Sequence, residues 1–371
     1  MYAHIEIKYF LTSMLVFQAL ACTGPLVTAL KGLHGELASS AARRLIMALA
    51  KGVTPPQRTI WERSALDELR AALPEPFRGL PDARGRQEDA CEFLKKLDEL
   101  LQVPTRCFAI GVTEQLTCAQ CRDMRERTET HMEIALSLPD AKDIPCEDQY
   151  TNPYHCTWSL RDWVKSFQQA EAVERKCSKC GGITAQKSMR VHAAPDVLRI
   201  VLKYFAVDNK GKASKPIRRW SEYESIELEV AGTQVKAKYR LFGIIFHHGS
   251  SVNAGHYTFA GRGSGCAGLQ SCNGQIITET GPATCANRWF HYNDSTIEGP
   301  STLAEAVSVA SGRTSAGKSK GGFQPEIAAI GNNGHAPYIL FYTRLADTGY
   351  EPPAPDCGLC TRGYEWRRAL E

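Results

Sequence analysis

The stretch Tyr239–Phe259, YRLFGIIFHHGSSVNAGHYTF, decides the fold. Tyr239, Leu241, Gly243, Ile245 and His247 alternate with Arg240, Phe242, Ile244 and Phe246, so both faces of the segment are largely apolar. That pattern predicts a strand buried inside a sheet. His248–Ala254 holds Gly, Ser and Asn, which favour a turn. Gly255 then lets another backbone come close, and His256 opens a second strand. A lone histidine there reads best as a satisfied, partly buried side chain. His256 is not alone: Arg288–Ser295, RWFHYNDS, is an aromatic strand ending in Asn-Asp. A carboxamide or carboxylate that orients an imidazole is the second half of a Cys-His-Asn/Asp hydrolase.

These residues resemble the histidine box of the ubiquitin-specific proteases. There, a Y-x-L-x-x-x-x-x-H-x-G strand leads to G-H-Y, and W-x-x-F/Y-[ND]-D follows. The resemblance implies His256 as general base and Asn293 as the group that orients it, with Asp294 able to share that role.

Composition agrees with a globular enzyme-sized chain. The 371 residues are 43% hydrophobic and 23% charged, with a net charge of +4. A charge that small does not argue for nucleic acid, and the basic run Lys203–Arg219 reads as a solvated turn. Fourteen cysteines are sparse for this length, and six fall in C-x-x-C pairs. That spacing favours metal binding in a reducing compartment over a disulfide framework. Phe10–Cys22 imitates a signal-peptide core, yet its basic flank is Lys8 beside Glu6, and it is too short to span a bilayer. It reads instead as part of a buried helix, Leu11–Leu33, with Met14, Leu15, Phe17, Leu20 and Ala21 facing the core. No membrane partner is expected.

The same helix resembles the nucleophile helix of the family, N-x-x-x-N-x-C-[YF]-[LM]-N-S-x-L-Q-x-L, from Phe10 onward. In that register Tyr9 takes the place of the cysteine, and His4 that of an oxyanion-hole asparagine. A phenol near pKa 10 cannot replace a thiolate activated at a helix N-terminus. Cys22 lies about 20 Å further along the helix at about 1.5 Å per residue, and reads as a small buried hydrophobe.

Further helices are expected at Ala41–Ala50, Ile60–Leu73 and Arg86–Leu101. In the last, Ala90, Phe93, Leu94, Leu97 and Leu101 form one face, and Gln87-Glu88-Asp89-Ala90 resembles the Q-[QE]-D-A-x-E-F-L signature of the family. Cys91 sits at that signature's variable position and reads as a buried thiol. A strand at Cys107–Leu116 leads to the knuckle Cys118-x-x-Cys121, matched later by Cys177-x-x-Cys180. Two such knuckles present four thiolates to one tetrahedral ion, so a single structural zinc with no catalytic role is expected; the other reading leaves these thiols unligated. Thr130–Pro139 reads as a strand with Met132, Ile134, Leu136 and Leu138 on one face. Ser159–Ala170 reads as a helix capped by Ser159, and Val197–Leu202 as a central strand. Cys146, Cys156, Cys266, Cys272 and Cys285 show no metal spacing. Residues 261–287 and 300–336 read as disordered insertions. Pro337–Arg344 returns as a buried strand, and 346–371, with a third pair at Cys357 and Cys360, reads as a flexible tail.

The expectation is an α+β, papain-like cysteine protease fold over residues 1–345. By the resemblance it comprises a helical thumb (about 1–105), zinc-ribbon fingers (about 106–196) and a β-rich palm (about 197–345). The implied partner is ubiquitin or a ubiquitinated protein, and the implied compartment cytoplasmic or nuclear. Two functions stay open. One is a cysteine-type deubiquitinase, cutting after ubiquitin's C-terminal glycine, whose nucleophile is missing here because the N-terminus is incomplete. The other is an inactive ubiquitin-binding scaffold.

Overall fold

A computed structural model describes residues 89–101, 105–137, 157–203, 206–207, 213–214, 219–221, 223–233, 236–249, 255–262, 271–272, 275–276, 289–293, 296–310 and 336–345, with Val16, Phe17, Ala19, Leu20, Leu26, Leu30, Ala42, Arg43 and Ile46. Expectations for Tyr9, Cys22, Cys146, Cys156, Asp294, residues 60–73 and the tail lie outside the described residues.

The N-terminal positions are helical where described, and Val16, Phe17, Ala19, Leu20, Leu26 and Leu30 are buried. Their i, i+3, i+4 spacing is what one apolar helix face requires. Helix α1, Ala90–Leu101, buries Ala90, Cys91, Phe93, Leu94, Leu97 and Leu101. Asp89 starts it, its Oδ1 accepting from the Cys91 and Glu92 N–H groups at 2.9 and 3.0 Å. Phe17 meets Phe93 edge to face, 6.1 Å between centroids, which binds the N-terminal helical segment to α1. The short helix α2, Thr105–Phe108, follows. The strand expected from Cys107 thus begins later, because Cys107 and Phe108 close this helical turn.

Strands β1 (Ile110–Cys118), β2 (Met124–His131), β3 (Ile134–Ser137) and β4 (Thr157–Ser159) come next. The strand expected over Thr130–Pro139 is split by a bend at Met132–Glu133, so its two parts join different sheets. Ser159 Oγ accepts the Asp162 N–H at 3.1 Å and caps helix α3, Leu160–Ser166, which is shorter than the expected segment. Strands β5 (Glu171–Glu174) and β6 (Thr184–Ala193) complete a four-stranded sheet of order β2-β1-β6-β5. Both cysteine knuckles lie at one end of it.

Strand β7 (Val197–Lys203) opens the second half of the chain. The short strands β8 (Ala206–Val207), β9 (Ala213–Ser214) and β10 (Arg219–Ser221) precede β11 (Ser225–Glu229). Then come β12 (Lys236–His248), β13 (His256–Arg262), β14 (Ser271–Cys272), β15 (Gln275–Ile276), β16 (Trp289–Asn293) and β17 (Thr296–Ser301). Helix α4, Leu303–Ala310, and β18, Ala336–Arg344, end the described chain. The main sheet has the order β17-β16-β13-β12-β18-β7-β3, with β11 also paired to β12. Its centre is the β13-β12-β18 group. Strand β7, expected to be central, stands one place from the edge, though Val197–Leu202 is buried throughout.

Alternate residues of these strands feed two cores, one on each face of the sheet. Val197, Val201, Tyr257, Phe259, Ile339 and Phe341 pack with α1 and the N-terminal helical positions. Leu198, Ile200, Leu202, Ala260, Leu340 and Tyr342 pack with α3 and α4. Helix α4 lies where an insertion is expected from composition. Thr302 and Glu305 form a reciprocal cap, Thr302 N–H donating to Glu305 Oε2 at 2.8 Å and Glu305 N–H to Thr302 Oγ1 at 3.2 Å. Ala306 and Val307 are buried beneath it. That T-x-x-E signature was legible in the sequence, but was masked by the small, polar composition around it.

Candidate functional site

Strands β12 and β13 form the hairpin anticipated from the opening stretch, with His248 opposite His256 and His247 opposite Tyr257. Gly255 enters β13 so close to its neighbour that a Cβ there would strike His247 Nε2 and the His248 carbonyl oxygen. Only glycine lets the chain turn in at this point, and the turn places His256 at the strand mouth. His247 is buried and packs on Tyr257 with ring centroids 4.8 Å apart. His248 Nε2 lies 2.7 Å from Thr258 Oγ1, and its ring is 5.8 Å from that of His256.

His256 Nε2 lies 2.7 Å from Asn293 Oδ1. A carboxamide oxygen only accepts, so the bond selects the imidazole tautomer protonated at Nε2. The lone pair is then on Nδ1, the nitrogen able to take up a proton. Asn293 reaches His256 because β16 pairs with β13, Ala260 opposite His291 and Phe259 opposite Tyr292. Successive side chains alternate, so His256, Thr258, His291 and Asn293 share one face of the sheet. The structure therefore brings together the two principal residues expected from the sequence.

Sequence reasoning missed the groups that hold this corner of the sheet to α1. Tyr338 on β18 donates its hydroxyl to Asp89 Oδ2 at 2.6 Å. Burial, and then the Asp89 charge, push the phenols of Tyr257 and Tyr338 well above their usual range, so both are neutral donors. Deeper in the same joint, Arg199 of β7 donates to Asp98 of α1 at 3.2 and 2.5 Å and to the Met132 carbonyl at 3.0 Å. Its guanidinium lies 4.2 Å from the centroid of the Phe108 ring. Arg199 and Asp98 were visible only as members of a charged helix and an apolar strand. Nothing local in the sequence marks them as partners.

Cys91 is near this joint but is not poised as a nucleophile. Burial pushes its thiol up to about 12, and the nearby carboxylate of Glu133 adds to the effect. This bears out the reading of a buried thiol.

The four knuckle cysteines converge. Cys118 Sγ and Cys180 Sγ are 3.6 Å apart, Cys121 Sγ and Cys177 Sγ 3.7 Å, and all four lie within 4.8 Å of one another. These separations are too long for disulfides, with S–S near about 2.05 Å. They fit a tetrahedral ion at about 2.3 Å from each sulfur, which sets edges near about 3.8 Å. The backbone N–H groups of Cys121 and Gln120 hold the Cys118 thiol below its ordinary value. The Lys179 N–H and Gly182 N–H groups lie 3.4 Å from the sulfurs of Cys177 and Cys180. The chemistry of this donor set suits zinc.

The mixed-sheet fold is shared with proteins of known structure. A family model described as ubiquitin carboxyl-terminal hydrolase matches residues 26–342. The chain belongs to that family. It is 27% identical over 275 residues to ubiquitin carboxyl-terminal hydrolase 15 of Arabidopsis thaliana, covering 65% of this chain and 27% of that protein. It is 24% identical over 264 residues to human ubiquitin carboxyl-terminal hydrolase 3, covering 63% of this chain and 43% of that one. The chain thus spans less than half the length of these relatives. Among solved structures, the SAGA DUB module of Ubp8, Sgf11, Sus1 and Sgf73 bound to monoubiquitin matches with a TM-score of 0.60 and 17% identity, covering 92% of this chain and 68% of that one. The same module bound to ubiquitin aldehyde matches with a TM-score of 0.56 and 16% identity.

Proposed function

We propose that this chain is a ubiquitin-recognising domain of the cysteine-deubiquitinase type, in which His256 is the general base and Asn293 fixes its tautomer. The observation that carries the reading is the 2.7 Å contact between His256 Nε2 and Asn293 Oδ1. In this arrangement Nδ1 takes the proton of an attacking thiol and later returns it to the leaving amine. By the family resemblance, Asp294, next in sequence to Asn293, would share its role in orienting the imidazole. Ubiquitin or a ubiquitinated protein is the partner; neither nucleic acid nor a membrane enters the proposal. Among the described residues, no helix is long and apolar enough to cross a membrane.

In family terms, the N-terminal helical residues and α1 form the thumb, the sheet β2-β1-β6-β5 the fingers and the main sheet the palm, a papain-like arrangement. Cys118, Cys121, Cys177 and Cys180 hold one structural zinc ion at the end of the fingers. Bound there, zinc would tie the β1–β2 turn to the β5–β6 turn. The grouping of six of the fourteen cysteines in C-x-x-C pairs supports a reducing compartment, cytoplasmic or nuclear.

Tyr9 favours a second reading. A phenol in the nucleophile's position leaves a domain that binds ubiquitin without cutting it. Purified residues 1–371 are expected not to cleave a fluorogenic ubiquitin amide, while a Tyr9→Cys variant is expected to gain turnover that His256→Ala removes. Turnover by the unaltered chain that disappears with His256→Ala would overturn the missing-nucleophile reading. Absence of ubiquitin binding in calorimetry would overturn both.

A further inference from the structure

His291 is buried on β16, 5% exposed, and neither of its ring nitrogens has a hydrogen-bond partner. Buried polar groups are rarely left in that state, and each instance calls for a reason. Ala260 lies opposite it on β13, and Ala260 packs in one core with Leu303, Ala306 and Val307 of α4. The charged or titratable groups of the packed elements, among the described residues, are few. Strand β13 offers His256 and Arg262, β17 offers Glu298 opposite His291, and α4 offers Glu305, which is engaged with Thr302. Burial holds the His291 imidazole below its ordinary range; Glu298 opposes this and His256 adds to it.

We propose that His291 is a proton-operated latch on the His256–Asn293 pair. Neutral His291 is accommodated where it lies. Its imidazolium would be a desolvated cation whose two N–H donors meet no acceptor where the ring lies, the carboxylate across the strand pair, Glu298, being exposed. Taking up a proton from solvent therefore requires His291 to leave the core. Asn293 is two residues further along the same strand and on the same face. When β16 and β17 swing away from β13 and α4, Asn293 leaves His256 Nε2 with them. Acidification thus dismantles the pair without any change in the residues that compose it. The latch acts whether or not a nucleophile is present.

The sign follows from linkage. A histidine whose folded-state pKa is depressed binds its proton more readily in the unfolded chain, whose value is about 6.5. The stabilisation is complete above that pH and is lost as the pH falls below it. The test uses the full chain and its His291→Gln and His291→Leu variants in urea unfolding from pH 7.5 to 5.0. Ring 15N spectra of histidine-labelled protein report the tautomer of His256. Between pH 6.5 and the depressed value, the wild-type unfolding constant is expected to rise by up to about tenfold per pH unit more than that of either variant. The signal of the Nε2-protonated His256 should fade over the same interval in the wild type and persist to lower pH in the variants. Equal slopes would overturn the proposal. So would a difference in slope with no difference at His256. Variants that both fail to fold at pH 7.5 would overturn it too, since the latch makes the imidazole dispensable when neutral.

Discussion

Tyr338 donates its hydroxyl to the same carboxylate, that of Asp89, whose other oxygen caps helix α1. One side chain near the start of the described helices thus ties that helix to the last strand of the sheet. Tyr338→Phe removes one charge-assisted hydrogen bond and should destabilise the fold by about 1.5–3 kcal/mol. Asp89→Ala also removes the cap, adding about 1 kcal/mol. Urea titration of both single variants and the double variant should show strong non-additivity, since they share the carboxylate.

Arg199 and Asp98 form a buried pair, with side-chain exposures of 1% and 8%. Removing either partner strands the other, and Arg199→Met or Asp98→Leu alone should cost about 3–5 kcal/mol. The double change to apolar residues should recover most of that loss. Measured midpoints that fall equally for singles and double would contradict this account of the joint.

Gly255→Ala tests the close approach that turns the chain into β13. The added methyl meets the backbone oxygen of His248, which cannot move aside as a flexible side chain would. A loss of more than about 2 kcal/mol is expected, as for overpacking of a tight site. The ring signals of His247 and His256 should shift together in the variant, whereas a surface glycine replacement should leave them in place.

The Cys91 thiol, raised to about 12 from a model-compound value of 9.0, should be inert to thiol reagents at pH 8. A shift of that size lowers the thiolate fraction on the order of a thousandfold. Mass spectrometry after brief alkylation should find Cys91 unmodified in the folded chain and modified in urea.

Metal analysis should find one zinc per chain, lost on Cys118→Ser or with a strong chelator. Removal should lower the thermal midpoint and raise hydrogen exchange in β1, β2, β5 and β6, while the main sheet keeps its protection. Uniform loss of protection would mean that the two sheets unfold as one unit.

Strand β12, the hairpin to His256, the aromatic strand ending at Asn293 and the four knuckle cysteines were legible in the sequence because each is a local pattern. Period-two apolar runs, a glycine before a histidine and paired C-x-x-C spacings arise from nearest-neighbour geometry, which a linear chain records. The chain also recorded the α4 cap, in Thr302 and Glu305, although its small-residue context obscured the helix. What only the tertiary structure decided is who meets whom across long separations. It paired Asp89 with Tyr338, set Arg199 under Asp98, moved β7 away from the centre and left His291 without a partner. Those outcomes depend on which faces of distant elements are packed together. Burial there raises the Cys91 thiol and lowers the His291 imidazole, and local spacing does not record which distant element covers a side chain.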